Sequence, residues 1–175
     1  MGMKLINQNK AVALLNKGAL IIYPTDTVYG IGCRADNNEA VAKLLSLKPR
    51  KTGFIILCKD WNEAQKWTIE NIPQETKQTT RPTTWIFQAQ SNVPLKLCNE
   101  AHEIAIRVPN YEPLNQLLTA IDSPIISTSA NKPGEHTAQT PEELKTLNFP
   151  VLEGRIGNKP PSTIIHHRDQ TIIRP

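Results

Sequence analysis

The sequence predicts an α/β fold, a single domain (residues 1–175) built on a twisted, mixed β-sheet with packed helices. Three observations predict it. Short β-branched runs such as "ALIIY" (19–23), "FIILC" (54–58) and "PIIST" (124–128) alternate with stretches of helical periodicity. Other strand-like runs, "TTWIFQ" (83–88) and "EIAIRVP" (103–109), add hairpin-like β character to that alternation. The tail "STIIHHRDQTIIR" reads as a hairpin turning at "HRDQ".

The elements follow in order. Residues 8–17 form a helix with Ala11, Leu14 and Leu15 on one face, leading into the strand 19–23. Asp36 with Glu39 is a capping box that opens a helix through "NEAVAKLLSL". After the strand 54–58, Asp60 with Glu63 is a second box, for a helix over 61–70, and Pro73 starts a short helix. Strands at 83–88 and 103–109 come next, then a helix opened by Pro113, then the strand "PIIST". Thr140 with Glu143 caps a helix over 141–147. "GNKPPS" (157–162) precedes the final strand pair, so it is an exposed or site-covering loop and no linker.

Composition excludes several classes. Apolar residues make up 39% and charged residues 21%, an ordinary globular balance. No run of about 18 apolar residues is present, and "MGMKLINQNK" has no apolar signal-peptide core. Cys33, Cys58 and Cys98 are scattered and read as buried reduced thiols, so the expected location is the cytoplasm. The four histidines lack metal-ligand spacing, and no metal site is expected. A net charge of +4 fits anionic small substrates or RNA and decides between neither.

Three apolar strands run straight into small polar residues: "LIIYPTDTVYG", "IAIRVPN" and "PIISTSANKPG". In open α/β sheets ligands bind beyond strand ends, so three such ends can line one pocket. "STSAN" (127–131) offers hydroxyl and amide groups on short side chains, which suit a crowded anion site. Alone it reads equally as a capped turn. "LKPRK" (47–51) presents Lys48, Arg50 and Lys51 near one point, as a phosphate site does and as a solvated helix end does. Arg107 lies in a strand between Ile106 and Val108, where a charge must be paired or must face a ligand. Arg174 in "TIIRP" has the same look. Neither a Walker A pattern nor G-x-G-x-x-G occurs, and Asp26 is the only acid in the three stretches. Such a site works by positioning and positive charge.

"YPTDTVYGIG", Lys48-Pro49-Arg50, "IAIRVP" and Ser129-Ala130-Asn131, in that order, resemble the YrdC-like threonylcarbamoyl-AMP synthases. The resemblance covers roughly residues 8–175. It implies a sheet enclosing a large, concave, basic site. It implies a nucleotidyltransferase that converts L-threonine, bicarbonate and ATP to threonylcarbamoyl-AMP and pyrophosphate, with Mg²⁺ accompanying the ATP. The product feeds the threonylcarbamoyladenosine modification of tRNA through a downstream threonylcarbamoyl-transferase complex, and weak tRNA binding can accompany catalysis.

Carried onto this sequence, Thr27, Arg107, Ser129 and Ser162 hold threonine, with Arg107 on its carboxylate. Lys48, Arg50, Asn131 and Arg174 hold ATP, and Lys48, Arg50, Ser129 and Asn131 form the catalytic set. Three departures stand out. The loop "KPRKTGFIIL" is shorter than the family's, Arg81 stands in place of a tryptophan before the aligned Thr84, and His166 or His167 stands in place of an acid. The competing expectation is a non-catalytic RNA-binding or regulatory protein on the same fold. It is weakened by only nine aromatic side chains, most within apolar segments. A carbamoyl-transfer domain of the hydrogenase-maturation type is a third reading, set aside because those domains sit in much longer chains.

Overall fold

The computed structural model describes residues 4–49, 53–132 and 134–175. Its strands are β1 (Lys4–Ile6), β2 (Ile21–Tyr23), β3 (Gly30–Arg34), β4 (Ile55–Leu57), β5 (Thr83–Gln88), β6 (Glu103–Arg107), β7 (Ile125–Ser129), β8 (Pro150–Leu152), β9 (Thr163–His166) and β10 (Ile172–Arg174). Its helices are α1 (Gln8–Asn16), α2 (Asn38–Leu47), α3 (Trp61–Gln65), α4 (Gln74–Lys77) and α5 (Glu112–Ile121). Among the described residues the strands form one ten-stranded sheet, ordered β1-β8-β2-β3-β7-β4-β6-β5-β9-β10. Parallel pairs (β1 with β8, β4 with β6, β5 with β9) mix with antiparallel ones, as the alternating pattern predicts.

Strand alternation sorts the core onto two faces. Ile21, Tyr23, Leu57 and Ile125 pack with Leu15 of α1 and Leu114, Leu117, Leu118 and Ile121 of α5. Their neighbours Ile22, Ile56 and Ile126 pack on the other side with Val41 and Leu44 of α2. Each β-branched run is therefore buried on both faces, which is why it reads as continuously apolar.

Several elements differ from expectation, each for a local reason. Asn37, and not Asp36, caps α2: its Oδ1 accepts the Ala40 N–H at 2.9 Å. Asp36 instead makes an ion pair with Arg34 at 2.6 Å, which holds its carboxyl below the ordinary range. The helix expected over 61–70 stops at Gln65. Thr68 forms a bridge with Ala89 and its hydroxyl donates to the Gln88 carbonyl, so sheet pairing takes that segment. Asp60 caps α3 as expected, but the Glu63 carboxylate accepts the Lys59 N–H. Residues Pro141–Leu147 wind as a 3₁₀ helix.

β3 follows a polar loop and contains two glycines. Tyr23 explains both. A Cβ on Gly30 would lie 2.9 Å from the Tyr23 ring, and one on Gly32 would lie 2.7 Å from its hydroxyl. The glycines clear room for a fully buried tyrosine whose hydroxyl donates to Ser127 Oγ at 2.7 Å. Burial pushes that phenol well above its ordinary pKa, so it stays a donor. The three thiols are free and buried, and burial pushes Cys33 up to about 12.

Gly32→Ala is expected to cost about 3 kcal/mol of folding stability, because its Cβ would also sit 2.3 Å from the Ile126 carbonyl oxygen of the adjacent strand β7. Chemical denaturation measures it, and a loss under about 0.5 kcal/mol would contradict this packing.

Candidate active site

The three polar strand ends converge. Along β7 the face that carries Ile125 into the core continues as Ser127 and Ser129, which line a cavity of about 150 Å³. Thr25 and Thr27 line it from the loop after β2, Gly30 from the start of β3, Ile55 and Leu57 from β4, and Arg107 from the end of β6. Ser162 and Arg174 close it from the C-terminal strand pair.

Arg107 is the central group. It is 6% exposed and forms an ion pair with Asp26, which is 3% exposed. A second guanidinium N–H points to Thr27 Oγ1 at 3.5 Å. A guanidinium has five N–H donors, so this pairing leaves others for a ligand in the cavity. Asp26 was legible in the sequence only as the lone acid of the three stretches. Its role is to neutralise and aim Arg107.

The 25–28 loop is built to hold both residues. Thr25 Oγ1 donates to the Val28 carbonyl at 2.7 Å and accepts the Thr27 N–H at 3.1 Å, a side-chain turn that continues the strand into the cavity. "GNKPPS" covers it: the Gly157 N–H donates to the Thr25 carbonyl at 2.9 Å, and the Lys159 N–H to that of Asp26 at 3.1 Å. A Cβ at Gly157 would lie 2.6 Å from the Asp26 carbonyl oxygen, so the close approach requires glycine.

On the far wall Arg174 grips Ser162. Its guanidinium donates to the Ser162 carbonyl at 2.7 and 3.1 Å and to Ser162 Oγ at 3.1 Å. Ser162 Oγ also lies 2.8 Å from Thr84 Oγ1. At the other end, Lys48 Nζ reaches across from the end of α2, donating to the Ser129 carbonyl at 2.5 Å and to Asn131 Oδ1 at 2.8 Å. Ser129 Oγ donates to that same Asn131 oxygen at 2.7 Å. Lys48 and Asn131 line a neighbouring cavity of about 160 Å³ whose walls include Leu44, Leu47, Leu147 and Phe149.

The structure thus brings Thr27, Arg107, Ser129, Ser162 and Arg174 to one cavity, with Lys48 and Asn131 beside it. Arg50 lies outside the described residues. Ser127 and Thr137 also line the first cavity. Ser127 stood in the "STSAN" stretch, and the period of two along β7 places it with Ser129. Thr137 carries no signal in the sequence. The departure at His166 is balanced from another strand: its Nε2 lies 2.7 Å from a Glu103 carboxylate oxygen. Among the described residues no group of three His, Cys, Asp or Glu side chains is placed to hold a metal ion.

A sheet of this order with polar strand ends around a buried arginine defines a recognisable class. The chain belongs to the Sua5/YciO/YrdC family, whose family model, described as telomere recombination, matches residues 13–175. Its relatives include the threonylcarbamoyl-AMP synthase of Blochmanniella pennsylvanica (strain BPEN), 34% identical over 170 residues and covering 90% of this chain and 88% of that one. The synthase of Pseudoalteromonas translucida (strain TAC 125) is 33% identical over 167 residues, covering 88% and 89%. Among solved structures, E. coli YciO superimposes with a TM-score of 0.82 at 26% identity, covering 98% of this chain and 94% of that one. P. abyssi Sua5 complexed with L-threonine shares the fold, with a TM-score of 0.85 at 21% identity. This chain spans 57% of that longer protein.

Asp26→Ala is expected to cost about 3–5 kcal/mol of folding stability, because it leaves a buried guanidinium without its counter-charge. Denaturant midpoints measure it. A loss below about 1 kcal/mol would mean that the pair does not hold Arg107.

Proposed function

We infer that this protein is a threonylcarbamoyl-AMP synthase, acting as one domain across residues 1–175. The observation that carries the reading is Arg107, buried against Asp26 and Thr27 at the floor of a cavity rimmed by serine hydroxyls. Sites for drug-sized ligands run to about 300–1,000 Å³, so a cavity of about 150 Å³ suits an amino acid and is too small for a whole nucleotide. The synthase relatives support the same reading.

On this reading the threonine carboxylate pairs with Arg107, and Thr27 and the hydroxyls of Ser129 and Ser162 orient the rest of the molecule. The threonine amine attacks the carbon of bicarbonate or CO₂, and a carbamate forms with loss of water or a proton. A carbamate oxygen then attacks the α-phosphorus of ATP, the bond to the β-phosphate oxygen breaks, and pyrophosphate leaves. Lys48 and Arg50 offset the charge on the triphosphate. Asn131 and Arg174 contact the nucleotide, Asn131 beside the Lys48 ammonium that it already accepts. Nearly every participant is anionic, so fixed cationic donors are what the transition state requires. Mg²⁺ enters as part of the substrate, held by the phosphate oxygens. The product is an acyl-adenylate for a tRNA-modifying partner.

The test is pyrophosphate release from purified protein with Mg-ATP, bicarbonate and L-threonine. Release should depend on threonine, and equal release without it would refute the reading. Arg107→Ala should weaken threonine binding about 100-fold. It should also lower stability because Asp26 loses its counter-charge, so binding is compared under conditions where the variant is still folded. Thr27→Val should raise the threonine KM about fivefold, as loss of one hydrogen bond does.

A further inference from the structure

A second cavity, of about 310 Å³, lies behind Arg107. It is larger than the first and sits beyond the C-terminal ends of the parallel strands β4 and β6 and the start of β5. Its wall carries five cationic side chains, Lys59, Lys77, Arg81, Arg107 and Lys159, against two carboxylates, Asp26 and Asp60. Both carboxylates are already engaged. Asp26 pairs with Arg107, and Asp60 caps α3 by accepting the Glu63 N–H at 2.7 Å. Lys59 pairs with Asp122. Among the described residues Lys77, Arg81 and Lys159 have no ion-pair partner.

Three cations facing one cavity repel each other until an anion enters. The remaining lining is suited to anionic oxygens. Thr79 and Thr80 supply hydroxyl donors, and Asn110 adds an amide. We propose that this cavity is a binding site for a compact multivalent phosphate, of the diphosphate class, held by Lys77, Arg81 and Lys159. The shape favours a compact anion over a nucleic-acid strand. The walls come from five separate segments of the chain, and among the described residues Trp61 is the single aromatic side chain in them, too few to stack successive bases. The proposal stands apart from the synthase reading, since none of its three cations lines the threonine cavity.

The test is calorimetric titration of inorganic diphosphate into the Lys48→Ala protein, in which the other phosphate-binding position is weakened. One diphosphate should still bind. Adding Lys77→Ala with Arg81→Ala, or Lys159→Ala alone, should weaken that event about tenfold or more. All three side chains are exposed, so thermal unfolding should be unchanged and loss of binding is not loss of fold. Trp61 fluorescence should change on addition and stop changing in the double variant. The proposal is overturned if Lys48→Ala alone abolishes diphosphate binding, or if the cavity variants bind as tightly as their parent. It is overturned in favour of a nucleic-acid surface if a short RNA, and not diphosphate, loses affinity when these cations are removed.

Discussion

The ion pair between Arg107 and Asp26 is the constraint around which the site is arranged. A guanidinium at the end of a central strand is expensive to bury unless a counter-charge meets it there. Asp26 meets it from the loop between β2 and β3, with β3, β4 and β5 intervening in the chain. That requirement fixes the loop. Thr25 turns it, Gly157 and Lys159 clamp its carbonyls from above, and Thr27 is carried to the cavity floor. An arginine neutralised on one side keeps further N–H donors for an anionic group, which is what the proposed threonine carboxylate contact requires.

The rest of the site follows from one property of the sheet. The face that buries Ile21, Tyr23, Leu57 and Ile125 under α1 and α5 extends past those helices. There the inward positions change from apolar to hydroxyl, as Ile125 gives way to Ser127 and Ser129. Tyr23 sits at the border. Its ring belongs to the core and its hydroxyl to the site through Ser127, and Gly30 and Gly32 exist to make room for it. The Lys48–Ser129–Asn131 contacts then join the cavity in front of Arg107 to its apolar neighbour, which tethers α2 to the end of β7.

Much of this was legible in the sequence, because strong local signals and tertiary demands agree. The buried strands 55–57, 125–129 and 103–107, the Pro-started helix and the tail hairpin all fall where β-branched runs and turn residues put them. β1, β3 and β8 were not legible. β1 and β8 are three residues long and gain order by long-range pairing, β1 with β8 and β8 with β2, and β3 follows a polar loop and carries two glycines. The end of α3 was missed because Thr68 and Ala89 pair over a distance that no local pattern reports. In the site, Thr27, Arg107, Ser129 and Ser162 were legible as motif residues. The pairing of Asp26 with Arg107 was not, since 81 positions separate them.

The central claim is that Arg107, oriented by Asp26, receives a carboxylate. The most direct measurement is a calorimetric comparison of L-threonine with L-threoninol, which replaces the carboxylate by a neutral alcohol and keeps the amine and side chain. The account predicts that threonine binds and that threoninol binds about 10- to 100-fold more weakly, the value of a charge-assisted hydrogen-bonded pair. Equal affinity for the two would contradict it.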